Sequence, residues 1–403
     1  MIAGTLAFTE TVSWGILYYA FSVFLVPMRD EFGWSAAAVT GAYSLALLIS
    51  GLAAPFVGRW LDRRGPRALM TAGSLLGALL VVAWSRVGDL TLYYLIWAGI
   101  GLAMAATLYE PAFATVTRWF ERDRSRALLL VTVAAGFAST IALPLSGWLV
   151  DRFTWRTALL VLAAILAVAT IPPHALLLRR RPEDLGLLPD GAAPRQDAAV
   201  DAQAVFSEGV SVGDALRDPA FRWLTLAFFL ETFSAIAVGV HLIPYLTERG
   251  DGARFAAAAA GLIGAAQVGA RVLATVFGNR LSQVALTALV FALQAVALVV
   301  LMGWQTRAGV LSAVLLLGAG RGVVTLMRPG LVAEFYGRTH FGAISGMLAL
   351  FLTGARALAP VGAGVAYTLA GSYDPVLWGM ATVSALAALA MIRVGQQRER
   401  LRG

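Results

Sequence analysis

The chain has 403 residues, of which 59% are hydrophobic and 13% are charged, whereas soluble domains average roughly 45–50% and 25% for these classes. This balance excludes an ordinary soluble protein and predicts a membrane protein. Cysteine is absent, which excludes disulfides and thiol chemistry, and all 31 basic residues are arginine, for a formal net charge of +8.

Twelve apolar segments are each long enough to cross a bilayer core of about 30 Å as a helix. We place them at 4–28, 36–61, 67–87, 90–117, 125–149, 155–178, 220–246, 255–279, 283–304, 308–335, 341–368 and 375–393. The segments are too long for barrel strands, and their apolar and polar residues alternate too weakly. A helix also satisfies its own backbone hydrogen bonds in lipid, so we expect helices. The first segment follows no basic leader and carries Glu10, so we expect a retained span and not a cleaved signal peptide.

A short repeat indicates two related halves. The sequence ETVS at 10–13 returns as ETFS at 231–234, and a proline follows each acid at Pro27 and Pro244. The two acid-to-proline spacings differ by about one helical turn. In membrane proteins with many spans, repeated halves are typical of transporters whose substrate site lies between the repeats.

The arginines and the middle of the chain predict the topology. With a cytoplasmic N-terminus, most arginines outside the helices fall in cytoplasmic segments, as the positive-inside rule requires, so we expect both termini in the cytoplasm. Because the charges are spread along loops, they do not indicate nucleic-acid binding. We predict an N-terminal six-helix bundle at 1–178, a cytoplasmic linker at 179–219 and a C-terminal bundle with a short tail at 220–403. Within the linker, 210–223 fits either a short amphipathic helix or disordered chain.

The loop predicted after the second span reads GRWLDRRGPR, from Gly58 to Arg67. It resembles the signature loop of the major facilitator superfamily at Gly58, Asp62, Arg63, Gly65 and Arg67, with Pro66 replacing a usual basic residue. The resemblance implies an all-α polytopic membrane protein, with twelve transmembrane helices in two pseudo-symmetric six-helix bundles. Gly58 would permit close helix approach, and Asp62 would pair with arginine to latch the cytoplasmic side. The equivalent segment, 278–283, has Ser282 in place of the acid, so this latch would be asymmetric.

Further motifs resemble the monocarboxylate and oxalate/formate branch of that family. They are Trp119 with Phe120, Trp155 with Arg156, and the segments 181–191 and 241–250. The eukaryotic monocarboxylate carriers pair an acid with an arginine four residues later in the eighth helix, whereas this chain has Gln267 and Arg271. They also use a first-helix lysine, which is missing here. Despite these departures, Arg271 is still available to bind an anionic substrate.

Charges inside predicted helices are candidates for function, because each is costly in lipid. They are Glu10, Glu110, Glu231, His241, Arg271, Arg321, Arg328 and Arg356. None falls in predicted helices 3, 6, 9 or 12, which lie at the periphery of the resembled fold. Helices 1, 4, 7 and 10 line its central cavity.

Arg271 is the first candidate for substrate binding. A guanidinium can hold a carboxylate through two parallel hydrogen bonds, and Gly261, Ala265 and Gly269 form a small-residue face nearby. Gln267 lies one turn earlier and joins the candidate site. The alternative is a structural ion pair between Arg271 and an intramembrane glutamate.

Arg321, Tyr18 and Tyr19 complete the predicted substrate site. Arg321 lies deeper in its helix than Arg328, seven residues away on roughly the same face. The two tyrosines, on a helix expected to line the cavity, would pack on an organic substrate. The alternative for these aromatic residues is packing against lipid or in the protein core.

Glu110 and Arg328 each precede a proline at matching places in helices 4 and 10, which predicts a cytoplasmic gate salt bridge. The alternative is that each charge is solvated in a cytoplasmic vestibule. Proton coupling needs a group that changes charge, and Glu10, Glu110, Glu231 and His241 qualify. For Glu10 and Glu231 the alternative is capping or loop pairing, and for His241 it is a surface-facing structural role.

These observations predict a secondary active transporter of a small organic anion, expected to be a monocarboxylate, by proton symport or anion exchange. The alternative is a proton-driven exporter of amphiphilic compounds, with Glu10 and Glu110 recognising cations. The sequence has no nucleotide-binding loop, metal-spaced histidines or nucleophile elbow, so we expect neither an enzyme nor a cofactor. The expected partners are the substrate, a proton or counter-anion and the lipid bilayer, and not nucleic acid. The family branch implies a monomer in a bacterial inner membrane.

Overall fold

The computed structural model of the protein describes residues 1–120, 122–188, 190, 210–277, 282–336 and 341–400, and its regular structure in these ranges is helical. Twelve of the described helices are long and apolar enough to cross a membrane. The prediction of an all-α protein with twelve transmembrane helices is therefore confirmed.

We number the spans α1 to α12 in chain order. The first six are α1 Ile2–Phe32, α2 Ala36–Arg64, α3 Pro66–Trp84, α4 Leu90–Trp119, α5 with the parts Arg124–Gly136 and Ala138–Arg152, and α6 Trp155–Leu177. The second six are α7 Pro219–Glu248, α8 Ala253–Phe277, α9 Gln283–Gly303, α10 Arg307–Tyr336, α11 Phe341–Ala370 and α12 Asp374–Arg400.

The chain divides into two compact units. The first contains residues 1–201 together with 243–261, and the second contains 202–242 together with 262–403. The end of α7 and the start of α8 thus group with the first unit. The predicted division into bundles at 1–178 and 220–403 stays a prediction.

Three spans of the first unit are interrupted, although the sequence predicted continuous helices. In α1 a π segment, Trp14–Tyr19, separates the α-helical parts Ile2–Ser13 and Phe21–Phe32. In α4 the helix breaks at Leu108, whose backbone is extended, and α5 breaks at Phe137. A new helical part starts at Tyr109, so Pro111 lies in a first turn, where its missing N–H costs little.

α10, by contrast, continues from Arg307 to Tyr336 without interruption. Glu110 therefore begins a helical part, whereas Arg328 lies inside a continuous helix. The backbone around the two residues therefore differs, and their gate remains a prediction.

The signature segment is mostly helix, not loop. α2 continues to Arg64, and α3 begins at Pro66. Gly65 between them has φ +77°, a conformation that favours glycine, and a Cβ there would lie 2.7 Å from the Arg180 Cβ. A Cβ on Gly58 would meet no described atom within 4 Å, and the close helix approach expected there stays a prediction.

The remaining parts of the predicted latch are only partly described. Arg63 and Arg67 are exposed. The Asp62 side chain and the segment 278–281 lie outside what the structure describes. The asymmetric latch thus stays a prediction.

The linker contains a 3₁₀ turn, Pro182–Leu185, and a six-residue helix, Val212–Arg217. Ser211 caps that helix by accepting a hydrogen bond from the Asp214 backbone N–H. Of the amphipathic helix predicted over 210–223, only these six residues are helical before Pro219 starts α7. Residues 191–209 lie outside the described ranges.

Candidate functional site

Glu10 is completely buried in α1. It is 0% exposed, and its Oε2 accepts a 3.0 Å hydrogen bond from Trp14 Nε1, one turn later. Its Oε1 has no hydrogen-bond partner in the described part of the chain. The capping or loop-pairing role considered for Glu10 is wrong, because the hydrogen bond stays within α1. A buried carboxyl group with an unsatisfied oxygen is a functional candidate.

Trp14 is the centre of an aromatic cluster that begins in the π segment of α1. Its ring centroid lies 4.8 Å from that of Tyr18, 6.3 Å from Tyr19 and 4.7 Å from Tyr109 of α4. Tyr18 in turn lies 5.8 Å from Tyr43 of α2, which is 1% exposed. We call Trp14, Tyr18, Tyr19 and Tyr109 the aromatic wall. Because π segments occur often at functional sites, the wall is a candidate substrate surface.

The aromatic wall differs from the lipid-exposed surface of the same unit. On α2 and α3 the most exposed large apolar side chains are aliphatic or phenylalanine, as at Leu52 (57%), Phe56 (67%) and Leu79 (59%). The four wall residues are half-buried, and three of them carry hydroxyl groups, which are costly to place in hydrocarbon. The π segment is also mid-span, away from the interface where aromatic residues anchor membrane proteins. The wall therefore suits an organic ligand better than lipid.

Glu231 is the counterpart of Glu10 in α7, and it is 4% exposed. Within one turn along α7, Ser234 Oγ accepts a hydrogen bond from the Ser384 hydroxyl of α12, and the Ala235 carbonyl oxygen accepts one from Arg321 of α10. The Glu231 Oε2 accepts no hydrogen bond from the described residues. Capping or loop pairing is wrong for this acid also, because it is buried among three spanning helices.

Arg321 lies against α7. Its Nη2 donates a hydrogen bond to the carbonyl oxygen of Ala235, and a Cβ on Gly239 would lie 3.5 Å from the same nitrogen. Glycine at 239 thus leaves room for the guanidinium. Arg321, half-buried, is held against α7 one turn from Glu231 by this backbone contact.

Arg271 is 5% exposed in α8, and Gln267, one turn earlier, is half-buried. Two glycines of α10 fit closely against this helix. A Cβ on Gly322 would lie 2.1 Å from the Gln267 carbonyl oxygen, and a Cβ on Gly318 would lie 2.6 Å from the Ile263 carbonyl oxygen. The small residues that bring α8 and α10 together are therefore on α10.

His241 is 1% exposed, so the surface-facing role considered for it is wrong. Its Nε2 lies 3.0 Å from the Pro360 carbonyl oxygen of α11, and its Nδ1 lies 3.2 Å from the Tyr373 hydroxyl. Because a carbonyl only accepts, Nε2 carries the proton and Nδ1 accepts from tyrosine. This arrangement satisfies a neutral ring and favours a structural role over proton coupling.

The remaining candidates are separate from these clusters. Glu110 is exposed at the start of the second part of α4, and Arg328 is half-buried in α10. Arg356 is exposed on α11. Glu110 belongs to the first compact unit and Arg328 to the second.

Sequence reasoning missed a buried histidine in the first unit. His174 in α6 is 0% exposed, and its Nδ1 lies 2.9 Å from the Ser74 hydroxyl of α3. The sixth predicted segment ends at residue 178, and a position this close to a predicted helix end gave no signal of burial. α6 nevertheless remains helical to Leu177, which places His174 inside the protein.

The motifs that resemble the monocarboxylate branch prove to be structural contacts. Trp119 Nε1 donates to the Arg179 carbonyl oxygen at 3.2 Å, and Asp190 accepts from the backbone N–H of Arg122 at 2.9 Å. The start of the linker is thereby fixed to the turn between α4 and α5. Arg118, which the sequence did not single out, donates to the Leu61 carbonyl oxygen at 2.8 Å, near the end of α2.

No group of three or more potential metal ligands occurs among the described residues. The first unit offers a buried carboxyl group and the aromatic wall, which together can bind aromatic or aliphatic carbon beside an acid. The second unit offers a buried carboxyl group, a buried arginine in α8 and a second arginine on α10, and these groups can bind charge.

Sequence comparison places the chain among known membrane transporters. The family model described as Major Facilitator Superfamily matches residues 6–360. Monocarboxylate transporter 13 of Bos taurus is 28% identical over 62% of this chain and 54% of that protein. The oxalate:formate antiporter of Oxalobacter formigenes is 26% identical over 56% of this chain and 51% of that protein. The chain thus matches about half the length of these curated relatives.

Solved structures share the fold. The nucleoside transporter NupG has a TM-score of 0.75 at 13% identity, with 98% of this chain and 100% of that chain covered. A bacterial homolog of the human lysosomal transporter Spinster, inward-facing and unoccupied, has a TM-score of 0.69 at 13% identity, with 98% and 95% covered. At these identities the likeness shows the fold alone.

Proposed function

This chain belongs to the Major Facilitator Superfamily, and on that premise we propose that it is a secondary active transporter of a small organic anion. The observation that supports an anionic substrate is the burial of Arg271, which is only 5% exposed within a spanning helix. A buried guanidinium is costly unless something of opposite charge compensates it during the functional cycle. A carboxylate matches its two-pronged hydrogen-bonding geometry.

The named relatives support a monocarboxylate as the substrate. Several are monocarboxylate transporters, and one exchanges oxalate for formate. All of these names describe carboxylates. We propose the same substrate class for this chain, with Arg271 and Arg321 as its charge partners and Gln267, Tyr18 and Tyr19 as further contacts.

The proposed transport proceeds by alternating access and by proton symport or anion exchange. The protein would lie in a bacterial inner membrane as a monomer, with both termini in the cytoplasm. Its partners there are the carboxylate and a proton or counter-anion. Glu10, Glu110, Glu231 and His241 remain the coupling candidates, although both ring nitrogens of His241 are engaged in structural contacts.

The test of the substrate class is uptake of labelled carboxylates by proteoliposomes containing the native protein or Arg271→Gln. We expect the apparent affinity to fall about 100-fold, because a charge-assisted contact worth about 3 kcal/mol is lost. Arg254→Gln is the matched control, since Arg254 is exposed on the same helix. Equal uptake by Arg271→Gln and the control would count against Arg271 as the anion partner.

A second candidate function is proton-driven export of amphiphilic cations. The aromatic wall beside the buried Glu10 favours it, because aromatic faces and a carboxylate together attract a desolvated cation. A cationic amphiphile that binds the native protein should then bind Trp14→Phe more weakly in equilibrium dialysis. Tight carboxylate binding with no cation binding would remove this candidate.

A further inference from the structure

A groove opens on the surface of the second compact unit, where the linker helix Val212–Arg217 lies beside α7 and α11. Its volume is about 320 Å³, and small-molecule pockets span roughly 300–1,000 Å³. Its lining includes Leu216 of the linker helix, Arg222, Thr225, Leu226 and Phe229 of α7, and Phe351 of α11. Because most of these side chains are apolar, a hydrocarbon chain can fill the groove.

The groove faces the lipid. Leu226 and Phe351, on its two walls, are 41% and 45% exposed, and both belong to spanning helices. α7 and α11 approach each other at its deeper end, where a Cβ on Gly354 would lie 3.8 Å from Phe229 Cε2. In a membrane the groove is therefore covered by lipid molecules.

The mouth of the groove lies at the membrane boundary. α7 has 30 residues, which is about 45 Å of helix, whereas the bilayer core is about 30 Å thick. The first few residues of α7 therefore extend beyond the hydrocarbon to the level of the lipid headgroups. Trp223, beside Arg222, is 37% exposed, as is typical of tryptophans that anchor a helix at this level.

The mouth is also positively charged. Arg222 is exposed, and its Nη2 lies 3.5 Å from the carbonyl oxygen of Arg217, which is also exposed. Asp218, one turn before Arg222, is engaged elsewhere, because its Oδ2 accepts from the Tyr336 hydroxyl at 3.0 Å and from Arg398 Nη2 at 3.1 Å. Arg217 and Arg222 form no ion pair within the described part of the chain. Both can therefore attract an anion.

One turn deeper, Thr225 lacks a hydrogen-bond partner. Its Oγ1 is buried and contacts no donor or acceptor of the described residues. Thr247 of the same helix shows the usual alternative, in which the hydroxyl donates back along the helix, here to the Ile243 carbonyl oxygen at 2.9 Å. A hydroxyl left unsatisfied in an apolar setting is costly. An acceptor on the molecule that fills the groove would satisfy it.

We propose that this groove binds one anionic glycerophospholipid. Such a lipid carries, from its polar end inward, a phosphate, ester carbonyl groups and acyl chains. The groove presents matching groups in the same order. Arg222 at the mouth binds the phosphate through charge-assisted hydrogen bonds, and Thr225, about 4.5 Å deeper along α7, donates to an ester carbonyl oxygen.

An acyl chain then occupies the apolar part of the groove. Its contacts are Leu226 and Phe229 on one wall and Phe351 on the other. Leu216 of the linker helix closes the groove beside the mouth. The bound lipid thus connects the linker helix with α7 and α11.

The test is native mass spectrometry of the detergent-purified protein with an equimolar mixture of phosphatidylglycerol and phosphatidylcholine. We expect one phosphatidylglycerol molecule to be retained in preference to phosphatidylcholine. Arg222→Gln should weaken phosphatidylglycerol binding by about 10-fold or more, because a charge-assisted hydrogen bond is lost. Thr225→Val, which keeps the shape of the side chain, should weaken it by about 5-fold.

Arg393→Gln is the matched control, because Arg393 is exposed near the end of α12 in the same unit and does not line the groove. It should bind phosphatidylglycerol as the native protein does. Equal retention of the two lipids, or equal losses in Arg222→Gln and Arg393→Gln, would overturn the proposal. Unchanged binding by Thr225→Val would overturn the ester contact and the placement of the lipid that depends on it.

Photo-crosslinking of the native protein in vesicles keeps the proposal testable if the variants fail to fold. A phosphatidylglycerol with a photoreactive group in its acyl chain should label peptides that contain Phe229 and Phe351. Glycerol 3-phosphate, which has the phosphate but no acyl chain, should not displace it, and displacement would overturn the role of the groove. Labelling spread evenly over lipid-exposed positions such as Leu52 and Leu79 would indicate bulk lipid only and would overturn the site.

Discussion

At the scale of single residues, buried polar groups carry most of the functional information. The sequence located Glu10, Glu231, His241 and Arg271 inside helices from hydropathy alone. It could not place their neighbours, because Ser384 and Arg321 contact α7 within one turn of Glu231 and come from helices far away along the chain. These contacts had no sequence signal, and the roles considered for both glutamates changed once their burial was known.

Arg156 illustrates how a recognisable motif can be structural. Its Nη1 donates to the carbonyl oxygens of Ser85 and Val87 at 2.9 and 3.0 Å, and its Nη2 lies 2.6 Å from Glu31 Oε1. Trp155 Nε1 donates to the other Glu31 oxygen at 2.5 Å. The Arg156 and Glu31 side chains are 34% and 41% exposed, so their ion pair contributes little by itself. The carbonyl contacts, which join the end of α3 to α6, are the stabilising part.

We therefore predict that Arg156→Ala lowers the free energy of unfolding by about 1–3 kcal/mol, because hydrogen bonds from a charged donor are lost. Arg156→Lys should recover only part of this, since an ammonium cannot reproduce the planar fork of donors. Thermal unfolding in detergent measures both variants. Glu31→Gln is the control for the ion pair, and full recovery by Arg156→Lys would contradict the carbonyl contacts.

At the scale of elements, the sequence predicted where helices cross and missed where they break or touch. The π segment of α1 and the break at Leu108 arise within uniformly apolar stretches, where periodicity gives no boundary. Close packing was expected on the α8 face with Gly261 and Gly269. Gly261 does fit closely, since a Cβ there would lie 3.0 Å from the Pro144 Cδ of α5, whereas a Cβ on Gly269 would meet no described atom within 4 Å. The contacts of α8 with α10 involve Gly318 and Gly322 of α10, whose spacing of four places them on one helical face.

Paired glycine substitutions test the packing of α8 against α10. Gly322→Ala should destabilise the protein by about 1–3 kcal/mol, because its Cβ would overlap the Gln267 backbone. Gly269→Ala is the matched control, since a Cβ there meets no described atom within 4 Å. That change should be neutral or stabilising by up to about 1 kcal/mol from helix propensity. Equal melting temperatures for the two variants would refute the close approach.

At the scale of the whole molecule, composition and the number of apolar segments were enough to predict the fold class. Each of the twelve predicted segments matches a spanning helix, because hydropathy over about 20 residues is a strong signal. The repeated ETVS and ETFS sequences place a buried acid in α1 and again in α7. Their surroundings have diverged, since Glu10 bonds to Trp14 in its own helix, whereas residues of two other helices contact α7 within one turn of Glu231.

The central claim is that the transported species is a carboxylate. The most direct measurement places the native protein in vesicles and compares uptake of a labelled monocarboxylate with uptake of a labelled amphiphilic cation under the same inward proton gradient. The account predicts gradient-stimulated accumulation of the carboxylate and none of the cation, because the buried arginine of α8 selects negative charge. Proton-driven extrusion of the cation, with no movement of any carboxylate, would contradict it.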